Sequence, residues 1–91
     1  MKALAQYLVE NIVNHAEDVE VVESPLEEGS DATLLTIHVH PEDMGVLIGK
    51  SGKTIRAIRE VVKILATKQS KYVEVEIAED KEKDEEDTEN S

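Results

Sequence analysis

The segment Ile48-Gly49-Lys50-Ser51-Gly52-Lys53-Thr54-Ile55 packs two glycines, two lysines and two hydroxyls into its six central positions. Glycine lets a backbone approach a ligand closely, and ammonium and amide donors beside it suit phosphate. That phosphate could belong to a bound nucleotide or to a nucleic-acid strand. A nucleotide P-loop needs Gly, four free positions, then Gly-Lys-Ser/Thr. Counting back from Gly52-Lys53-Thr54, the leading position is Leu47; from Gly49-Lys50-Ser51 it is Met44, with Gly45 one place off. A P-loop also follows a buried strand, whereas this segment follows a helical turn begun by Pro41. The spacing rejects the nucleotide.

A Gly-x-x-Gly turn between two helices does something else. It lets them meet at a tight angle and bares amides at the start of the second, where the helix dipole favours an anion. Lys50 lies between the glycines, Lys53 just after them, and Arg56, Arg59 and Lys63 continue along the helix. That is a track for a strand. The charge distribution agrees: residues 1–48 carry one lysine and ten acids, whereas residues 49–71 carry seven basic residues and only Glu60. The net charge of −11 therefore hides a local cationic field. An ordinary solvated helix face is the plain alternative for these cations.

Nothing else in the chain suggests chemistry. There is no cysteine, so disulfides and thiolates are excluded. His15, His38 and His40 match no zinc spacing and read as surface or hairpin packing, so no metal and no cofactor are expected. Tyr7 and Tyr72 are the only aromatics, too few for a base-stacking platform. No nucleophile pairs with a base, so the expectation is a binding protein, not an enzyme.

Several elements must position the loop. Leu4, Leu8, Ile12 and Ala16 recur at helical spacing, which predicts a helix over 3–16. Strands are expected at 19–23 and 32–40, joined across the Pro25–Gly29–Ser30 loop. Pro41 begins a short helix that ends before Gly49, with Glu42 and Asp43 at its positive end. A longer helix follows from about Lys53 to Thr67, with Ile55, Ile58, Val61, Val62 and Leu65 on one side. Val73, Val75 and Ile77 then alternate with Tyr72, Glu74 and Glu76 in a last strand.

Residues 79–91, "EDKEKDEEDTENS", contain eight acids, two lysines and no apolar residue. They read as a disordered acidic tail after a single domain of residues 1–78. Solubility is one role for such a tail, and mimicry of a polyanion that competes for the cationic segment is another. No long apolar run spans a membrane and the N-terminus is no secretory signal, so a cytoplasmic protein is expected.

The order α-β-β-α-α-β around "VLIGKSGKTIRAIREVV" resembles a type II, bacterial KH domain. The blocks "HAEDVEVV" and "HPEDMGVLIGKSGKTIRAIR" are similar to stand-alone KH proteins of the KhpA type, over residues 1–78. The resemblance implies an α+β fold: a three-stranded sheet covered on one face by helices. It implies single-stranded RNA as partner, its backbone clamped by Gly49, Lys50, Ser51 and Gly52. Ile48 and Ile55 match the apolar positions flanking the loop, Ile48 being the groove candidate, with Lys53, Arg56 and Arg59 beside it. Residues 24–31 are the candidate for the opposite wall. Relatives of this kind act as RNA chaperones or regulators, associate with a larger KH-containing protein, and are linked to cell division and cell shape. One module holding about four bases binds weakly, so a homodimer or partner would help through effective concentration. The exposed faces of the first helix are the candidate surfaces. The competing reading is a protein-interaction adaptor whose KH fold works through a partner, not RNA.

Overall fold

A computed structural model describes residues 1–78; the acidic tail at 79–91 lies outside the described residues. The chain forms α1 (Lys2–Glu10), β1 (Glu20–Pro25), β2 (Thr33–His38), α2 (Met44–Ile48), α3 (Lys53–Lys68) and β3 (Val73–Ile77). Single 3₁₀ turns stand at Ala16–Asp18, Pro41–Asp43 and Lys50–Gly52. The element order is the expected α-β-β-α-α-β.

The sheet order is β1-β2-β3. β1 runs antiparallel to β2, with Val21 opposite Ile37, and β2 runs parallel to β3, with Leu35 beside Val75. A parallel pair needs a crossover, and α2 with α3 supplies it. Alternation puts Val21, Leu35, Ile37, Val73 and Val75 on one face, where all are buried. Ala5 and Val9 of α1, Leu47 of α2 and Ile55, Ile58, Val62 and Ala66 of α3 cover that face. Val22 and Glu76 emerge on the other, exposed to water. This is an α+β fold with a mixed sheet covered on one face, as a type II KH domain requires.

Three features differ most from the sequence expectation. In α3 the core stripe is Ile55, Ile58, Val62 and Ala66; Val61 and Leu65 lie on its rim and are exposed. β1 extends to Pro25, which an edge strand tolerates because its outer side needs no amide donor. The first helix stops at Glu10, well short of 16. Asn11 begins its end, with Nδ2 donating to the Tyr7 carbonyl at 2.8 Å. The deeper cause is a carboxylate far along the chain. Asp43 is fully buried and accepts from the amides of Asn14 (3.2 Å) and His15 (2.8 Å) and pairs with His15 Nδ1 (3.0 Å). Those amides leave the helical path to satisfy it. Asp43 thus ties the α1–β1 connection to the start of α2.

Ionisation follows from this geometry. The hydrogen bond to Asp43 raises the His15 pKa, outweighing partial desolvation, and Glu42 and Glu17 add to the rise. Burial pushes Asp43 up, but the His15 amide, the His15 ring and the Asn14 amide together hold it below the usual carboxylate range. The His15 contribution is complete below its unfolded pKa of about 6.5 and fades as pH rises through its raised folded value. The Asp43 contribution is present above about pH 4 and fades as pH falls through its lowered value. The pair therefore stabilises most between about pH 4 and 6.5. Thermal unfolding across pH should show this window. Asp43→Asn should flatten it and lower the midpoint by about 10 °C, because an amide turns donors toward donors.

Candidate nucleic-acid interface

β2 feeds through His40 and the Pro41 turn into α2, whose five residues are anchored by buried Leu47. The Gly49 amide closes α2 on the Gly45 carbonyl at 2.9 Å. Gly49 itself has φ +77 and ψ 170, a conformation essentially reserved for glycine. A Cβ there would lie 2.2 Å from Thr54 Oγ1 and 2.8 Å from Thr54 N. The first turn of α3 is thus packed directly on Gly49. Gly52 has φ +74 and ψ 15, but open space where its Cβ would stand. The two glycines serve different ends: one admits a helix, the other a left-handed turn.

Ser51, between them, is also left-handed at φ 57 and ψ 26, an uncommon conformation for a residue with a side chain. The turn is held by Gly52 N–H donating to the Gly49 carbonyl (3.1 Å) and by Lys53 N–H donating to the Lys50 carbonyl. Among the described residues, the Lys50 and Ser51 amides have no backbone acceptor. Both residues are exposed. α3 is sixteen residues long and no side chain caps its start. Two free amides and an uncapped helix N-terminus therefore face water together, an arrangement that favours an anion.

Lys50, Lys53 and Arg56 surround these amides and are exposed. Arg56 Nη2 reaches the Ser51 carbonyl at 3.5 Å, the outer limit of a hydrogen bond. Arg59 is diverted: its Nε donates to the Val75 carbonyl at 3.0 Å and so caps the open edge of β3. Sequence spacing alone could not separate it from Arg56. Ile48, 38% exposed, sits at the mouth of the loop, whereas Ile55 at 7% belongs to the core. The segment proposed as the opposite wall divides: Ser24 and Pro25 close β1, and the remainder joins β1 to β2 at the end of β2 remote from the Pro41 turn. Arg59→Ala should lower the unfolding midpoint by about 4–8 °C, and Arg56→Ala by about 2 °C or less, in thermal melts.

Two further clusters bear on the site. The His15 and His40 rings stack with centroids 4.1 Å apart and planes 14° from parallel. His40 Nδ1 accepts from the Glu42 amide at 3.0 Å, which leaves its proton on Nε2. With Glu42, these groups lie within 4.8 Å of one another. Stacked rings aim their nitrogens along separate planes, however, and the His40 tautomer is wrong for coordination. The cluster packs the helix junction. The second feature is an apolar groove of about 380 Å³ between α1 and α3, lined by Leu8, Ile12, Ala57 and Val61, with Lys53 at one end. Tyr7 and Ile64, at 64% and 63%, add to the exposed apolar surface of the same two helices. No described helix is long and apolar enough to cross a membrane.

With this geometry in place, the comparison with known proteins is decisive: the family model "KhpA/KhpB, KH domain" matches residues 2–77. The chain belongs to that family of KH domains. The protein named "RNA-binding protein KhpA" from Clostridium perfringens is 44% identical over 77 residues, covering 85% of this chain and 99% of the relative. Its namesake from Halalkalibacterium halodurans is 39% identical over 77 residues, covering 85% and 97%. The Chlamydia caviae protein of the same name is 35% identical over 81 residues, covering 89% and 100%. No solved structure matches the chain. The KH family model spans every element described above, from α1 to β3.

Proposed function

We propose that this KH domain binds single-stranded RNA, with the phosphodiester backbone held at the turn from Gly49 to Gly52. The observation that carries this reading is the pair of unpartnered amides at Lys50 and Ser51, set at the uncapped start of α3. The names of its relatives support it, because each is called an RNA-binding protein. Lys50 and Lys53 supply mobile positive charge, and Arg56 extends it. Ile48 offers an apolar patch for a base. Arg59 contributes charge while its Nε holds the sheet edge. Binding, not catalysis, is the activity, and an RNA chaperone or post-transcriptional regulator in the cytoplasm is the role. Residues 1–78 form the binding domain.

A specific observation favours an added protein contact. The apolar groove between α1 and α3, with Tyr7 and Ile64 exposed nearby, suits a second copy or a larger KH-containing partner. Such pairing would raise the affinity of a module that grips few nucleotides.

Fluorescence anisotropy with a single-stranded RNA of about eight nucleotides tests the main reading. Phosphate contacts at three or four positions predict a slope of about −2 to −3 for log affinity against log salt. A flat salt dependence, or no binding by the folded protein at low salt, would reject RNA as the ligand and leave the adaptor reading.

A further inference from the structure

α3 and β3 run antiparallel through a four-residue link, and their levels are fixed where Arg59 Nε meets the Val75 carbonyl at 3.0 Å. From Val75 to Ala78 the strand advances about 10 Å, which along a helix corresponds to roughly six or seven residues. The ladder does continue that far, since the Ala78 amide donates to the Ile37 carbonyl at 2.8 Å. The chain therefore leaves the fold toward the end of α3 that begins at Lys53, away from Lys68. The next thirteen residues, 79–91, hold eight acids and two lysines. Extended, they could reach about 45 Å, whereas the helix from Lys53 to Lys63 is only about 15 Å long.

We propose that the acidic segment 79–91 folds back onto the turn and first three turns of α3, and there competes in cis with RNA. Its carboxylates take the place of phosphates at the Lys50 and Ser51 amides and beside Lys53, Arg56 and Lys63. Segment and surface are opposite in charge: the tail carries −6, and residues 49–63 carry +4. Tethering at Ala78 gives a millimolar effective concentration, so weak individual pairs suffice. The contact is electrostatic and screened within about 10 Å at moderate salt, which makes it a device that weak RNA ligands must overcome and strong ones displace. This inference rests on the RNA-binding reading for its consequence, but not for the contact itself.

The test uses the full chain beside a full-length variant in which the eight acids of 79–91 become the corresponding amides. At about 50 mM salt the amide-tail variant should bind a single-stranded RNA of about eight nucleotides roughly 3–10-fold more tightly, and near 0.3 M the difference should vanish. Without RNA, carbodiimide should join tail carboxylates of the monomeric full chain to Lys50 and Lys53 in preference to Lys68 and Lys71. Lys68 and Lys71 are exposed as well but lie at and just beyond the far end of α3. Equal RNA affinity of the two proteins would overturn the proposal. So would crosslinks spread evenly over all four lysines, since an affinity gain would then reflect diffuse repulsion. If neither protein bound RNA, the RNA reading would fall, and the crosslink pattern alone would decide whether the tail docks.

Discussion

Gly49→Ala should lower the unfolding midpoint by about 10–20 °C, whereas Gly52→Ala should lower it by about 4–8 °C. The two residues look equivalent in sequence, and their surroundings differ. At Gly49 a methyl group would meet the Thr54 hydroxyl at 2.2 Å and the Thr54 amide at 2.8 Å. Rotating the threonine relieves the first clash but not the second, because the amide is backbone. The backbone conformation adds its own cost of about 1–3 kcal/mol, since φ +77 with ψ 170 suits only glycine. At Gly52 there is nothing within 4 Å of the new carbon, so only the left-handed φ of +74 is penalised, by about 1–2 kcal/mol. Calorimetry on the two single variants separates these cases. Equal losses would mean that α3 does not rest on Gly49. A practical corollary is that a negative charge placed at Gly49 would confuse folding with binding.

The double variant Lys50→Asp/Ser51→Asp should lose about 30-fold or more in RNA affinity at low salt while melting within a few degrees of the native protein. Both side chains are exposed, and Asp tolerates the left-handed conformation that Ser51 already adopts. The substitution removes one cation and adds two anions beside the unpartnered amides, so a phosphate there would be repelled. Because Gly49 and Gly52 remain, the turn and its contact with Thr54 survive. Anisotropy and a thermal melt on the same sample report the two quantities. Retained affinity with a retained fold would place the RNA elsewhere on the domain.

These outcomes also show what local sequence could reveal. The turn was legible because glycine and lysine state their roles at short range, and because a cationic stretch stands out in an acidic chain. The element order followed from periodicity, and Ile48 separates from Ile55 as the groove candidate. What escaped depends on distant partners. The end of α1 is set by Asp43, some thirty positions away, whose buried carboxylate gathers the Asn14 and His15 amides. Nothing near Ile12 or Val13 announces this, and a helical stripe continues straight through them. Asp43 itself read as a helix-dipole partner, since burial cannot be inferred from its neighbours. Arg59 shares a helix face with Arg56, yet β3 lies within reach of only one of them. Val61 and Leu65 fall on the apolar side of the helical pattern, yet they stay exposed at the rim and Ala66 takes the buried position.

The central claim is that two main-chain amides receive the RNA backbone. Titrating isotope-labelled protein with a short single-stranded RNA and following amide resonances tests it directly. The account predicts that Lys50, Ser51 and the first turn of α3 shift first and furthest, in proportion to occupancy, with the far end of the sheet unmoved. Binding with those resonances unchanged and the largest shifts on α1 would contradict it.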